Sequence, residues 1–276
     1  MRTELITIET DTIPIEGLYY EPEGIIKGAA LFFHGNTMNF YTGAAKFLAP
    51  ALTKAGFAFF AFNRRGHDIL STRASREPVG GAFQTIAESF ADNDFARNWL
   101  MGKGFPAPIL IGHSNGGMLA VAHAAKYPNT PALVLLSAPR GGVGQDLKSG
   151  SEKLFAMNQA EQITAKAKEL VAQNKGRELI NLPGWWYLIS AESYLDRLVS
   201  IPDTIALAPE IHCPVLAIRG DKEDQHRYPA EEFKAACAGP CDFHLVADCD
   251  HFYNEKEDVI SDLIVNWLEK NIPSSN

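Results

Sequence analysis

Continuous apolar runs recur at residues 29–33, 57–62, 108–111 and 133–136, with stretches of helical periodicity between them. A strand that is apolar on both sides must be covered on both faces, the situation of a strand inside a parallel sheet. Residues 41–55 carry Ala44, Phe47, Leu48, Ala51 and Leu52 at helical spacing and stop at Gly56. Residues 83–100 and 116–125 repeat that pattern. Strands alternating with helices imply right-handed βαβ units, hence an α/β fold with a doubly wound, mostly parallel sheet. Ahead of this rhythm, residues 5–8 and 13–20 alternate in polarity and read as an antiparallel opening pair.

The rhythm stops after Leu136 and resumes with a strand at 215–218, a helix at 230–236, a strand at 243–246 and a closing helix at 259–268. Helices are expected at 160–173 and 185–198, with no strand between them. Residues 1–139 and 209–276 therefore read as one core domain, and 140–208 as a helical lid inserted over the carboxyl edge of the sheet, where such folds bind ligands. With 276 residues and 46% of them apolar, the chain is long enough for one large core.

Charge and cysteine usage narrow the partners. A net charge of −8, with Arg64–Arg65 as the nearest thing to a basic patch, argues against nucleic acid, which needs clustered cations. The first ten residues mix charged and apolar side chains and hold no secretory h-region. The apolar runs are too short to span a bilayer. The expectation is a soluble cytoplasmic protein acting on a small molecule, with no membrane or nucleic-acid partner and an oligomeric state left open. Cys213, Cys237, Cys241 and Cys249 lie near His244 and His251, but a C-x3-C pair followed by a lone cysteine fits zinc patterns poorly. Reduced thiols are expected, with no metal and no cofactor.

The segment 109–120 contains G-x-S-x-G at Gly112, Ser114 and Gly116, with a buried strand before it and a helical pattern after it. That context is the one a nucleophile elbow requires. A sharp turn from strand to helix strains the serine backbone, and side chains two residues before and after it would collide, so glycine is needed at both. The strain holds Oγ above the sheet edge, and the next helix aims its N-terminus at any developing anion.

With these residues, the chain resembles the α/β-hydrolase superfamily, particularly its small esterase and lipase-like members, over nearly its whole length. His34-Gly35-Asn36 follows the third expected strand, where the resemblance places an oxyanion loop. Residues 63–71 are similar to the family's R-G-x-G-x-S stretch, with His67 and Asp68 in place of small residues. The resemblance implies the chain order Ser, acid, His. His251, between the last strand and the last helix, takes the place of the base, while His123, His212, His226 and His244 fall elsewhere.

The acid is expected in the segment after residue 218. Counting G-x-x-D from Gly220 reaches Glu223, with Asp224 one residue later and Asp221 two earlier. Aspartate is the commoner acid and the loop is long, so Asp224 ranks first, Glu223 second and Asp221 third. The oxyanion donors are expected to be the backbone N–H groups of Asn36 and Asn115.

The resemblance implies hydrolysis of a carboxylic ester, lactone or thioester through an acyl-enzyme. The apolar cluster of Trp185, Trp186, Tyr187, Leu188, Ile189, Tyr194 and Leu198 points to a small apolar substrate if those side chains line the pocket. Carbon–carbon or amide hydrolysis, or acyl transfer, would use the same residues. A non-catalytic binding protein is disfavoured by the intact serine and histidine, and Ser114 disfavours the epoxide hydrolases and haloalkane dehalogenases, which carry aspartate at the elbow.

Overall fold

The computed structural model describes residues 1–72, 76–142, 155–184 and 187–272. Strands β1 (Arg2–Ile8) and β2 (Ile15–Glu21) form the expected antiparallel pair. They are followed by β3 (Gly28–Phe33), helix α1 (Ala44–Lys54), β4 (Phe57–Phe62), α2 (Ile86–Gly102), β5 (Ile109–His113), α3 (Asn115–Lys126) and β6 (Leu133–Leu136). The second half supplies α4 (Ala160–Ala172), β7 (Leu179–Leu182), β8 (Tyr187–Ser190), α5 (Ala191–Ser200) and the short α6 (Thr204–Leu207). It closes with β9 (Val215–Gly220), α7 (Ala230–Ala236), β10 (Cys241–Val246) and α8 (Glu257–Asn271).

Eight strands make one sheet in the order β1-β2-β4-β3-β5-β6-β9-β10. From β4 onward in that order all neighbours are parallel, and only β2, antiparallel to both β1 and β4, runs against the rest. Every residue of β4, β5, β6 and β9 is buried, the environment that their unbroken apolar sequences require. One face packs against α1 and α8 through Leu48, Leu52, Ile260 and Ile264; the other packs against α2 and α3 through Ala96, Leu100, Ala120 and Val121. A capping box opens α2: Thr85 Oγ accepts from the Glu88 amide at 3.2 Å, and Glu88 Oε2 accepts from the Thr85 amide at 2.8 Å.

Between β6 and β9 the expectation of helices alone is corrected. β7 and β8 pair antiparallel, so a strand occupies part of the span expected to be helical at 185–198. The helix begins only at Ala191, because Ser190 caps it with Oγ accepting from the Ser193 amide at 3.2 Å. β7 alternates exposed and buried residues, a period-two signal too short to stand out in four residues. Ile163, Ile180, Leu182, Tyr187, Ile189 and Tyr194 form a small core of their own. The unit rests on the loop before α2: Ser190 N donates to Ala82 O at 2.7 Å, and Ile86 N donates to Asp196 Oδ2 at 2.7 Å. Trp185 and Trp186 lie outside the described residues. Among the described residues no helix is long and apolar enough to cross a membrane, and no cluster of three side chains suits a metal.

Candidate active site

The turn from β5 into α3 places Ser114 at the carboxyl edge of the sheet with φ 53° and ψ −127°. A non-glycine residue with positive φ is held there only by its surroundings. Here the Ser114 amide donates to Leu136 O at 2.8 Å, while its carbonyl accepts from Gly117 and Met118. The flanking glycines are sterically required. A Cβ on Gly112 would come within 2.4 Å of Gly116 O, and one on Gly116 within 2.0 Å of Phe33 O.

His251 descends from the loop between β10 and α8, and its Nε2 lies 3.0 Å from Ser114 Oγ. Its Nδ1 lies 2.6 Å from Glu223 Oε1. A carboxylate only accepts, so Nδ1 carries the proton and the Nε2 lone pair faces the serine hydroxyl. Glu223 is reached through a turn after β9, where the Glu223 amide donates to Gly220 O and the Gly220 amide donates to Glu223 Oε2 at 2.8 Å. Its side chain is only 3% exposed. Burial opposes its ionisation, but hydrogen bonds from His251, Ser137 Oγ and the Gly220 amide outweigh that and hold the carboxyl below its ordinary pKa.

The loop after β3 faces the serine from the other side. A Cβ on Gly35 would lie 3.3 Å from Ser114 Cβ, so glycine allows the close approach. The backbone N–H groups of Asn36 and Asn115 have no acceptor among the described residues. The Asn36 side chain turns toward Tyr187, whose hydroxyl lies 3.5 Å from Oδ1. This arrangement has the parts needed to activate a hydroxyl and to stabilise an oxyanion.

A family model described as the alpha/beta hydrolase family matches residues 30–263. The chain belongs to that family. No curated protein sequence matches this hydrolase significantly. Its fold is similar to a highly thermostable carboxyl esterase from Bacillus coagulans, with a TM-score of 0.74 and 14% identity over 99% of each chain. It is also similar to the esterase domain of a Rhodothermus marinus protein, with a TM-score of 0.64 and 20% identity over 99% of this chain and all of the other. A third likeness is to a monoglyceride lipase of Saccharomyces cerevisiae, with a TM-score of 0.67 and 14% identity over 98% and 96% of the two chains.

The ranking of the acids is corrected by the geometry of this hydrolase. Asp224, expected first, is exposed and turns its Oδ1 to the His226 amide at 2.8 Å. Asp221 is exposed and accepts from the Cys249 amide at 3.1 Å. Glu223 alone of the three meets His251, because the tight turn at Gly220 fixes the acid three residues on, and the longer glutamate side chain spans the gap. His212 and His244 are exposed, and His123 is buried on α3 against Phe33 and Tyr127. The four cysteines are free thiols.

Ser137, Tyr253 and His113 are parts of the site that sequence reasoning missed. Ser137, at the end of β6 with φ 48°, donates from Oγ to Glu223 Oε2 at 2.6 Å, and Tyr253 OH lies 2.6 Å from the same Oγ. Ser137 was visible as the polar residue ending a buried strand beside the elbow strand. Tyr253 and His113 carried no such signal. His113 is 1% exposed, and burial, then the nearby His251, lowers its pKa to about 4. It is therefore neutral near pH 7, and Nε2–H donates to His251 O at 2.9 Å, tying the histidine loop to the elbow.

Proposed function

We propose that this chain is a serine hydrolase that cleaves a carboxylic ester of a small molecule through an acyl-enzyme. The observation that carries the reading is the unbroken hydrogen-bonded line from Ser114 through His251 to Glu223. His251 Nε2 takes the hydroxyl proton as Ser114 Oγ attacks the ester carbonyl, and Glu223 stabilises the imidazolium that forms. The tetrahedral oxyanion is held by the N–H groups of Asn36 and Asn115 at the positive end of α3. The imidazolium returns its proton to the leaving alkoxide, leaving Ser114 acylated. Water then repeats the attack, with His251 again as base, and releases the acid.

The unit at 140–208 is the proposed lid. Tyr187 links it to the oxyanion loop through Asn36 and to the body through Gly81 O at 3.1 Å. The expectation of an apolar substrate rests on the cluster from Trp185 to Leu198 lining the pocket, and within that cluster Tyr187, Ile189 and Tyr194 fill the unit's own core instead.

A fluorophosphonate probe with a panel of p-nitrophenyl esters tests the reading. Wild-type protein should be labelled and should turn over at least one ester, and Ser114→Ala should do neither while keeping its fold. Loss of a triad member leaves only the residual rate of the oxyanion hole and binding, a fall of about 10³-fold or more. A folded Ser114→Ala protein with wild-type ester turnover would refute the assignment.

A further inference from the structure

The two hydrogen bonds of the His251 ring, to Glu223 Oε1 and Ser114 Oγ, leave from opposite sides of the imidazole. They fix where the nitrogens point but leave the ring able to rock about the line that joins them. Only neighbours packed against the ring resist that motion, and the side chain is still 22% exposed.

Three rings supply that packing. Tyr228 has its centre 4.8 Å from that of the imidazole, with the planes 33° apart, and His113 lies at 4.9 Å and 36°. Phe252 meets the imidazole nearly edge-on, at 5.2 Å and 78°, and is itself exposed. His113 is buried and neutral, and its Nε2–H holds the His251 carbonyl.

Tyr228 is locked in place by its backbone. Its amide donates to Asp224 O at 3.0 Å, and its carbonyl accepts from Arg219 Nη1 at 3.2 Å. Arg219, at the end of β9, is buried and closed by two bonds of 2.7 Å to Glu231 on α7. The loop after β9 thus sends two side chains to one histidine: Glu223 to its Nδ1 and Tyr228 to its ring. The length of that loop is what allows the second contact. It matters most when His251 carries the proton taken from Ser114, because an aromatic ring within about 6 Å attracts a cation over its face. The Arg227 guanidinium shares the Tyr228 ring from 5.6 Å, farther than the imidazole.

We propose that Tyr228 is a positioning residue for His251, keeping Nε2 aimed at Ser114 and favouring the imidazolium that forms on proton transfer. This rests on the reading of His251 as the general base.

The test compares Tyr228→Leu, which keeps bulk without the aromatic face, with Tyr228→Phe, which removes only the hydroxyl. On one good p-nitrophenyl ester, Tyr228→Leu should lower kcat by about 3- to 30-fold with KM within about twofold of wild type, and Tyr228→Phe should stay near wild type. Unchanged kcat in a folded Tyr228→Leu protein, a rise in KM at constant kcat, or a Tyr228→Phe protein as impaired as Tyr228→Leu would overturn the proposal. The second arm needs no turnover. The His251 Nδ1 proton held against Glu223 should give a downfield proton NMR signal in wild type and Tyr228→Phe, broadened by exchange with water in Tyr228→Leu. A signal equally sharp in all three proteins, or absent from wild type, would also overturn the proposal. Dependence of the signal on Tyr228 without hydrolysis of any ester would keep the positioning role and reject the nucleophile. Ester hydrolysis that needs Ser114 but responds to Tyr228→Leu in neither arm would do the reverse.

Discussion

Glu223 Oε1 lies 2.6 Å from His251 Nδ1, while the neighbouring Asp224 is turned away to the His226 amide. That contact sets the imidazole tautomer that leaves Nε2 free for Ser114. Glu223→Gln presents an amide that can reverse the tautomer, and kcat is expected to fall by about 10³- to 10⁴-fold. Asp224→Asn and Asp221→Asn should retain most activity, since both carboxylates are exposed. Steady-state kinetics on one good ester checks this, and a folded Glu223→Gln protein of near wild-type activity would remove Glu223 from the machinery.

Ser137 acts through Glu223. Its Oγ donates to Glu223 Oε2 at 2.6 Å, and a hydrogen bond to a charged group contributes about 1.5–3 kcal/mol. Ser137→Ala should therefore lower kcat by about tenfold or more while KM stays close to wild type. A rise in KM at constant kcat would instead place Ser137 in substrate binding.

Two buried neutral histidines make stability depend on pH. Burial is the main cause that lowers His113 and His123 from 6.5 to about 4. As pH drops below about 6.5 the unfolded chain binds protons that the native state refuses, so stability falls between pH 6.5 and 4. A shift from 6.5 to about 4 corresponds to about 3 kcal/mol for each residue. Urea unfolding from pH 7.5 to 4.5 should show this loss, and His123→Leu should reduce the proton uptake on unfolding by about one. A flat profile in wild type would contradict the expectation.

Asp92 neutralises Arg65 inside the body. Asp92 is fully buried, Arg65 is 6% exposed, and the pair is closed by bonds of 2.7 and 2.9 Å from the Arg65 amide and Nε. Asp92→Ala leaves Arg65 only the more exposed carboxylates of Asp11 at 2.8 Å and Glu88 at 3.7 Å, and breaking a buried pair costs up to about 3–5 kcal/mol. Chemical denaturation should register that loss. A change below about 0.5 kcal/mol, typical of surface substitutions, would mean the pair carries little.

The unbroken apolar runs that became β3, β4, β5 and β6 were legible because a strand buried on both faces leaves a strong compositional trace. The elbow was legible because Gly112 and Gly116 are imposed by contacts of 2.4 and 2.0 Å that no other residue tolerates. The hairpin of β7 and β8 was not, since four-residue strands offer too few alternations to compete with a helical pattern. Residue frequency favours Asp224 over Glu223, whereas the turn geometry at Gly220 fixes the position and lets side-chain length adjust.

His251 hangs from the end of β10, the outermost strand, which pairs with β9 alone and exposes Asp242, His244 and Leu245. Sheet margins fray at lower free energy than sheet centres. Ser114 sits at the end of β5, deep in the sheet, so the proposed nucleophile and base are anchored in regions of unequal cohesion. Warming should therefore silence the enzyme by loosening its rim while the interior is still intact, and activity would report on the edge of the molecule rather than on its melting.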